Sequence, residues 1–472
     1  MAIDAEPNVS RYLEGHYAPV RDERIDADLT VIGELPAGLV GTYMRNGGNP
    51  EFAPVGRYHL FDGDGMIHAV TFDGEGSVTY RNRYVESKGL LAERRHGTAL
   101  FGGLSQFVMP SPELAEEAGG VLKNTANTNI VRHAGRILAL MEAGHPTEMS
   151  PSLDTIGEFT WGGKLEGPMT AHPRLDASTG VMCFFGSSPF PPFVRYHEVS
   201  PTGDLLRSVD VNVGRSTMMH DFVITQQHAV FFDLPVIFDV NRMLAGQPGF
   251  FWDGEAGARV GVLRRDGDSD DVTWIDIDAC FVFHFLSAQE LPDGRIEVIG
   301  CRSPRLNVSF GPDDAAPEAT AVPTLHRWVI DPTARRATSE ALDDRATDFP
   351  RINEARSGQT YRYGYSGHTG QWTDDDVMFD GVIKWDLTAG TDSTFVYGPT
   401  HRAGEAAFAD DPADPSEDGG WLINYVTDET TWESRMVILD ARDITAGPVA
   451  EVLLPRRIPF GFHGNWMPGL IP

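Results

Sequence analysis

A chain of 472 residues with 38 basic and 68 acidic side chains carries a formal charge of −30. So acidic a balance excludes recognition of a phosphate backbone, which needs a basic face, and electrostatic docking on anionic lipid. With 41% hydrophobic residues the composition is far from that of a disordered chain, and the length fits roughly two to four ordinary domains or one large closed architecture.

Short runs rich in β-branched and aromatic residues follow one another along the chain, most of them bounded by Gly, Pro, Asn or Asp, as strands should be. The first are AVTFDG (69–74) and SVTYRNRYV (77–85), preceded by DGDG (62–65). DGDG reads as a tight turn. A calcium loop beginning at Asp62 would put Met66 where an oxygen ligand is needed and Ile67 where glycine is required. A helix is predicted over SPELAEEAGGVL (111–122), capped by Ser111 and with Glu113, Glu116 and Glu117 in its first turns. Strand-like runs resume at RILALMEAG (136–144), VMCFFG (181–186) and HAVFFDLP (228–235). NRMLAG (241–246) is a shorter helical candidate, and RIEVIGC (295–301) and RMVILDARD (435–443) complete the series.

Many short strands with turn signals point to a sandwich, a barrel or a propeller. A sandwich of about 100 residues would have to be repeated with linkers between the copies. No such boundary shows: the acidic stretch DDPADPSEDGG (410–420) is as well explained as a loop connecting blades. One large β-propeller absorbs the whole length, so the expectation is an all-β chain forming a single domain over 1–472. Three cysteines (Cys183, Cys280, Cys301) cannot make a full disulfide set and suggest a reducing compartment. MAIDAEPNVSRYLEGHY lacks the apolar core of a signal peptide, and no run approaches 18 apolar residues, so a cytoplasmic protein is expected. Only four basic residues (Lys88, Lys123, Lys164, Lys384) are lysines, a skew that fits codon usage better than function.

Walker loops, GxSxG, CxxC and HExxH are all absent from the sequence. Among fifteen histidines, four lie in or beside apolar, strand-like runs, where an uncompensated imidazole is costly to desolvate. They are His172 (MTAHPRLD), His220 (TMMHDFVIT), His284 (CFVFHFLSA) and His463 (IPFGFHGNW), at spacings of 48, 64 and 179 residues. That spacing cannot make a local metal finger. It suits one ligand from each of several blades; the alternative, a core histidine with a hydrogen-bond partner, fits any one of them better than it fits all four together.

GTYMRNGGNPEFAPVGRYHLFDGDGMIHAV (41–70) resembles the N-terminal signature of the carotenoid cleavage oxygenases. NTANTNIVRHAGRILALMEAG (124–144), TAHPRLDASTG (170–180), MMHDFVIT (218–225), FVFHF (281–285), DFPRIN (348–353), SEDGGW (416–421) and FGFHGNW (460–466) are similar to further blocks of that family, in order. The resemblance spans nearly the whole chain. It implies a seven-bladed propeller capped by a dome of loops and short helices, with one non-haem Fe(II) on the axis held by His172, His220, His284 and His463. It further implies carboxylates behind three of the histidines: Glu142, Asp348 and Glu405. Asp348 departs from the family's usual glutamate, and its shorter side chain calls for a small backbone shift or a bridging water. Thr128 matches a threonine that crowds one open iron position, and Phe61 and Phe283 match residues lining the substrate tunnel.

The reaction so implied is oxidative cleavage of a C=C bond by O2 to give two carbonyl products, with no organic cofactor. Stilbene-cleaving members carry a lysine just before the first carboxylate, where this chain has Met141, and a tyrosine in a region that here reads GTALFGGLSQF (97–107). An apolar Met141 suits a polyene, so a carotenoid or apocarotenoid is the expected substrate. A stilbenoid or phenylpropene is the alternative. A catalytically silent propeller binding a hydrophobic ligand, or a hydrolytic zinc enzyme, are readings from other classes. LFGGLSQFVMP (100–110) and PVIFDVNRMLAGQPGFFW (235–252) are candidates for a tunnel mouth and a peripheral membrane contact.

Overall fold

The structure is a computed structural model that describes residues 10–306, 321–370 and 378–472; residues 1–9 of the N-terminal stretch read above lie outside them. Seven antiparallel sheets of four to six strands form a seven-bladed β-propeller, with a separate two-stranded ribbon (Val236–Phe238 and Phe250–Trp252). Five blades take their strands in chain order, with the ribbon inserted within the third. They run from Asn129–His133 to Thr155–Glu158, from Arg174–Leu175 to Leu205–Val211, and from Val223–Ile224 to Thr273–Ile277. The other two of the five run from Phe281–Glu290 to Arg336–Ala341 and from Thr347–Arg351 to Thr391–Val396.

The last two blades draw strands from both halves of the chain. Gly464–Pro468 pairs with Gly41–Arg45, and Val31–Gly33 pairs with Pro448–Leu453. Closing the ring twice in this way holds each seam by backbone hydrogen bonds within a blade rather than by side chains alone.

Burial on both faces explains the sequence pattern. Every residue from Phe281 to Ala288 is buried, so this strand reads as a continuous apolar run rather than an alternation. Peripheral strands such as Val78–Tyr84 do alternate. Neighbouring blades meet through aromatic side chains: Phe232 lies 4.5 Å from Phe285 and 5.4 Å from Trp328, ring centre to ring centre. Such pairs add about 0.5–1.5 kcal/mol each beyond the area they bury. The acidic stretch 410–420 joins Ala407–Asp410 to Gly420–Asp428 within one blade, rather than one blade to the next.

Short helices lie in the long connections. Helix α1 is Lys88–His96, α2 is Pro112–Ala118 and α3 is Val240–Leu244. Helix α2 is shorter than the run predicted over 111–122 because Gly119 takes the left-handed conformation (φ 79°) and closes it, while the Ser111 side chain caps its start as expected. The sequence reading missed α1. Its signal was present: the Ser87 side chain accepts from Leu90 N–H, and Gly97 (φ 72°) ends the helix.

Candidate metal centre

The first strand of each blade, nearest the axis, delivers one residue to a common point. His463 precedes Gly464–Pro468, Thr128 precedes Asn129–His133, His172 precedes Arg174–Leu175 and His220 precedes Val223–Ile224. His284 lies in Phe281–Glu290, Asp348 in Thr347–Arg351, and Glu405 between His401–Ala403 and Ala407–Asp410. The propeller thus assembles residues separated by up to 335 positions without any local motif (Thr128 to His463).

The ligating atoms of His172, His220, His284 and His463 all lie within 4.8 Å of one another. All four residues are at most 9% exposed. His284 Nδ1 is 2.8 Å from Asp348 Oδ1, His463 Nδ1 is 3.1 Å from Glu405 Oε1, and His220 Nδ1 pairs with Glu142. An ionised carboxylate can only accept, so each of these imidazoles carries its proton on Nδ1 and turns the Nε2 lone pair inward. His220 Nε2 is 3.0 Å from His172 Nε2 and 3.2 Å from His284 Nε2. For His220 and His284, whose Nδ1 protons are both committed, two lone pairs this close repel unless a proton or a metal ion stands between them. The donor set therefore fits a metal ion held by four neutral nitrogen ligands, and imidazole suits iron as well as zinc or copper.

Electrostatics follow the same division. Burial holds the His172 imidazolium well below its usual range, and the three neighbouring imidazoles add to that. Burial disfavours the His220 cation too, but Glu142 outweighs it and leaves the group raised. Burial pushes the Glu405 carboxyl up, yet the Arg351 guanidinium and the His463 ring more than offset this and hold it at about 2.

Asp348 reaches His284 directly, without a bridging water. The backbone makes up the missing methylene: pairing between Thr347–Arg351 and Tyr363–His368 shifts register after Asp348, and Phe349 takes a positive φ of 52°. Asp348 Oδ1 also accepts from Phe349 N–H at 2.7 Å, which fixes the bulge and the carboxylate together.

A cavity of about 340 Å³ opens onto the histidines. Its wall includes the expected Phe61, Thr128, Met141 and Phe283, together with Glu142, Asp348 and three of the four histidines; His172 and Glu405 stand behind it. The Phe283 ring meets His220 edge-on at 5.2 Å, and Phe61 meets Phe462 at 5.5 Å. The Thr128 hydroxyl donates to Asn127 Oδ1 at 3.0 Å, and the Thr128 carbonyl accepts from His463 N–H. Segments 100–110 and 235–252 both contribute to the wall, through Phe101, Leu104, Phe107, Phe238, Met243 and Phe250.

Sequence reasoning missed two features. Phe349, left-handed and stacked on His284 at 4.8 Å, forms part of the wall beside the centre. Lys123, with Asp64 and Glu93, forms a buried charged cluster in an otherwise largely apolar wall. Beside that cluster, burial raises the Asp62 carboxyl to about 6, although the backbone N–H groups of Leu104 and His59 bond it. Nothing around Lys123 in the sequence marks it for burial; its rarity among 38 basic residues was the available hint.

A family model described as retinal pigment epithelial membrane protein matches residues 17–468. A carotenoid cleavage oxygenase of Mycobacterium tuberculosis is 34% identical over 97% of this chain and 97% of its own length. The carotenoid 9,10(9',10')-cleavage dioxygenase 1 of Arabidopsis thaliana is 35% identical, covering 96% of this chain and 89% of its own. Among solved structures, a lignostilbene dioxygenase of Pseudomonas brassicacearum superposes with a TM-score of 0.91 at 30% identity, covering 99% of this chain and 100% of that one. A cobalt-substituted apocarotenoid oxygenase of Synechocystis gives a TM-score of 0.83 at 30% identity, with 95% and 97% covered.

Proposed function

The chain belongs to the retinal pigment epithelial membrane protein family, which includes the carotenoid cleavage oxygenases it matches, and on that premise we propose that it is a single-domain dioxygenase cleaving a C=C bond of a carotenoid or apocarotenoid. The reaction takes one alkene and one O2 to two carbonyl products. The observation that carries the reading is the convergence of four imidazole donors, three backed by carboxylates, at the end of a largely apolar cavity.

Fe(II) held by His172, His220, His284 and His463 would supply the redox-active centre at which O2 is activated. The chain's own residues do the rest. Glu142, Asp348 and Glu405 fix the tautomer and orientation of three imidazoles. Phe61, Phe283 and Met141 offer flat or polarisable apolar surface against which a polyene is held in register. Thr128, just before the axial strand Asn129–His133 and bonded through its carbonyl to His463 N–H, narrows the space next to the centre and leaves room for one small ligand there. The aromatic wall keeps water away from the reacting bond.

A polyene is delivered from lipid, and the two apolar segments of the cavity wall carry exposed side chains: Leu104, Met109 and Leu244 are 37%, 57% and 56% exposed. We read them as a peripheral membrane contact driven by hydrophobic insertion, since the net charge opposes electrostatic attraction. Among the described residues no helix is long and apolar enough to cross a membrane. Liposome flotation tests this contact; no association with neutral or anionic vesicles refutes it.

A second reading is cleavage of a stilbenoid, favoured by the close superposition on the lignostilbene dioxygenase. Met141 in the cavity wall speaks against it, because an apolar side chain there offers a phenol nothing to bond. Incubating iron-loaded protein under air with an apocarotenal and with a hydroxystilbene separates the two. Carbonyl products from the polyene are expected; products from the stilbene alone would reverse the assignment.

A further inference from the structure

The four imidazoles are unevenly supported. His172 has no carboxylate bonded to it among the described residues; its backbone N–H donates to Thr170 Oγ1. The adjoining Ala171 carbonyl, however, accepts from Asn129 Nδ2 at 2.7 Å. Asn129 Oδ1 in turn accepts from Ile130 N–H at 2.8 Å and from Asn465 Nδ2 at 2.9 Å. Asn465 Nδ2 also donates to the Ile130 carbonyl at 2.8 Å, and its Oδ1 accepts from Arg351 Nη2 at 2.7 Å. Arg351 Nη1 reaches Glu405 Oε1 at 3.4 Å, the oxygen that accepts from His463 Nδ1.

Neither amide can be turned over. Asn129 faces a carbonyl, which only accepts, on one side and a backbone N–H, which only donates, on the other. Asn465 stands between a carbonyl and a guanidinium in the same way. The path from His463 through Glu405, Arg351, Asn465 and Asn129 to Ala171 is therefore directional at every joint. It links strands of blades that share no sheet.

We propose that Arg351 is a positioning residue for the four-histidine centre, acting on His463 through Glu405 and on His172 through Asn465 and Asn129. The guanidinium can serve both arms because its planar fork presents several donors in fixed directions. His172 thereby gains, through its backbone, the restraint that the other three imidazoles obtain from carboxylates on their rings.

The proposal rests on the reading of the histidines as metal ligands, and the test separates the two. Metal-free wild type, Arg351→Met and Asn465→Ala are titrated with Co(II), following affinity and the visible ligand-field bands, with circular dichroism to check the fold. Arg351→Met is expected to bind Co(II) ten- to hundredfold more weakly with shifted bands. Asn465→Ala, which leaves the Arg351–Glu405 pair in place, is expected to shift the bands with a smaller loss of affinity. Folded variants with wild-type affinity and bands would overturn the network. If Arg351→Met does not fold, Asn465→Ala decides alone, and unchanged bands overturn the proposal. A wild-type protein that takes up no Co(II) overturns the metal centre itself.

Discussion

His220 Nε2 stands 3.2 Å from His284 Nε2, and both atoms present lone pairs because their Nδ1 protons are committed to Glu142 and Asp348. Two such lone pairs repel unless a proton or a metal ion lies between them, so a metal bound to both nitrogens stabilises the axis of the folded propeller. Adding Fe(II) anaerobically to metal-free protein is expected to raise the melting temperature. At free metal a hundredfold above Kd the gain is about 2.7 kcal/mol. Differential scanning calorimetry with and without metal checks this, and His284→Ala should abolish most of the increment. A melting temperature indifferent to metal would contradict the assignment.

Asp348 supports His284 from a bulged strand matched to its short side chain. Asp348→Asn keeps the volume but replaces an obligate acceptor with a neutral amide. Metal affinity is expected to fall ten- to hundredfold, by the usual effect of losing a carboxylate behind a ligand. Asp348→Glu restores the residue common in the family, yet here it adds a methylene at a position 5% exposed beside the left-handed Phe349. Overpacking of that kind costs about 1–3 kcal/mol, readable as a lower urea midpoint. A Glu variant as stable as wild type would show that the bulge is not tuned to aspartate.

His16 gives stability a pH dependence that does not involve the metal centre. It is 5% exposed, and burial, with Arg45, Arg457 and Arg402 nearby, lowers it to about 3. The unfolded chain takes up this proton near pH 6.5 while the folded chain refuses it down to about 3. The group's contribution is thus fully present above pH 6.5 and is lost as pH falls towards 3. Between pH 7 and pH 5 this single group should remove about 2 kcal/mol. His16→Phe, which suits the neighbouring Tyr17 and Phe460 rings, should lose less stability than wild type over that interval by about the same amount. Urea unfolding at both pH values measures the difference, and parallel losses would sink the claim.

Legibility in the sequence followed the distance over which each feature is determined. The strands at 69–74, 136–144, 181–186 and 228–235 were visible because local composition and flanking turns decide them, and each lies where it was read, with ends shifted by a few residues. The four histidines stood out as polar groups in apolar runs, but their convergence came only from ordered resemblance to a family, since no spacing rule brings residue 172 to residue 463. Glu405 was recognisable only through that resemblance, whereas Arg351, three residues from Asp348 in DFPRIN, drew no attention. An arginine's burial depends on what the other blades place around it. Helix α1 was overlooked for a simpler reason: three consecutive basic residues, Arg94, Arg95 and His96, obscured its apolar face.

The buried cluster at Lys123 ties the helical cap to the propeller. Its ammonium contacts Glu93 of α1 and Asp64 at the entrance to the strand Met66–Phe72, and the three side chains are 10%, 3% and 4% exposed. Breaking such a cluster by removing one partner leaves uncompensated charge in a dry environment, at about 3–5 kcal/mol. Lys123→Met is therefore expected to destabilise the protein strongly, and more than Glu93→Gln, which leaves the Lys123–Asp64 pair intact. In the double variant, Glu93→Gln removes one of the two carboxylates that Lys123→Met strands, so the combined loss should be smaller than the sum of the single losses. Because this contact is one of those that hold α1 to the strands, with Leu90 and with Arg94 over the Tyr84 ring, its amides should exchange faster with solvent in Lys123→Met while those of Phe281–Glu290 stay protected. Hydrogen exchange resolved by segment reads both at once. Uniform acceleration across cap and blades would mean that Lys123 stabilises the whole fold rather than anchoring the wall of the cavity to it.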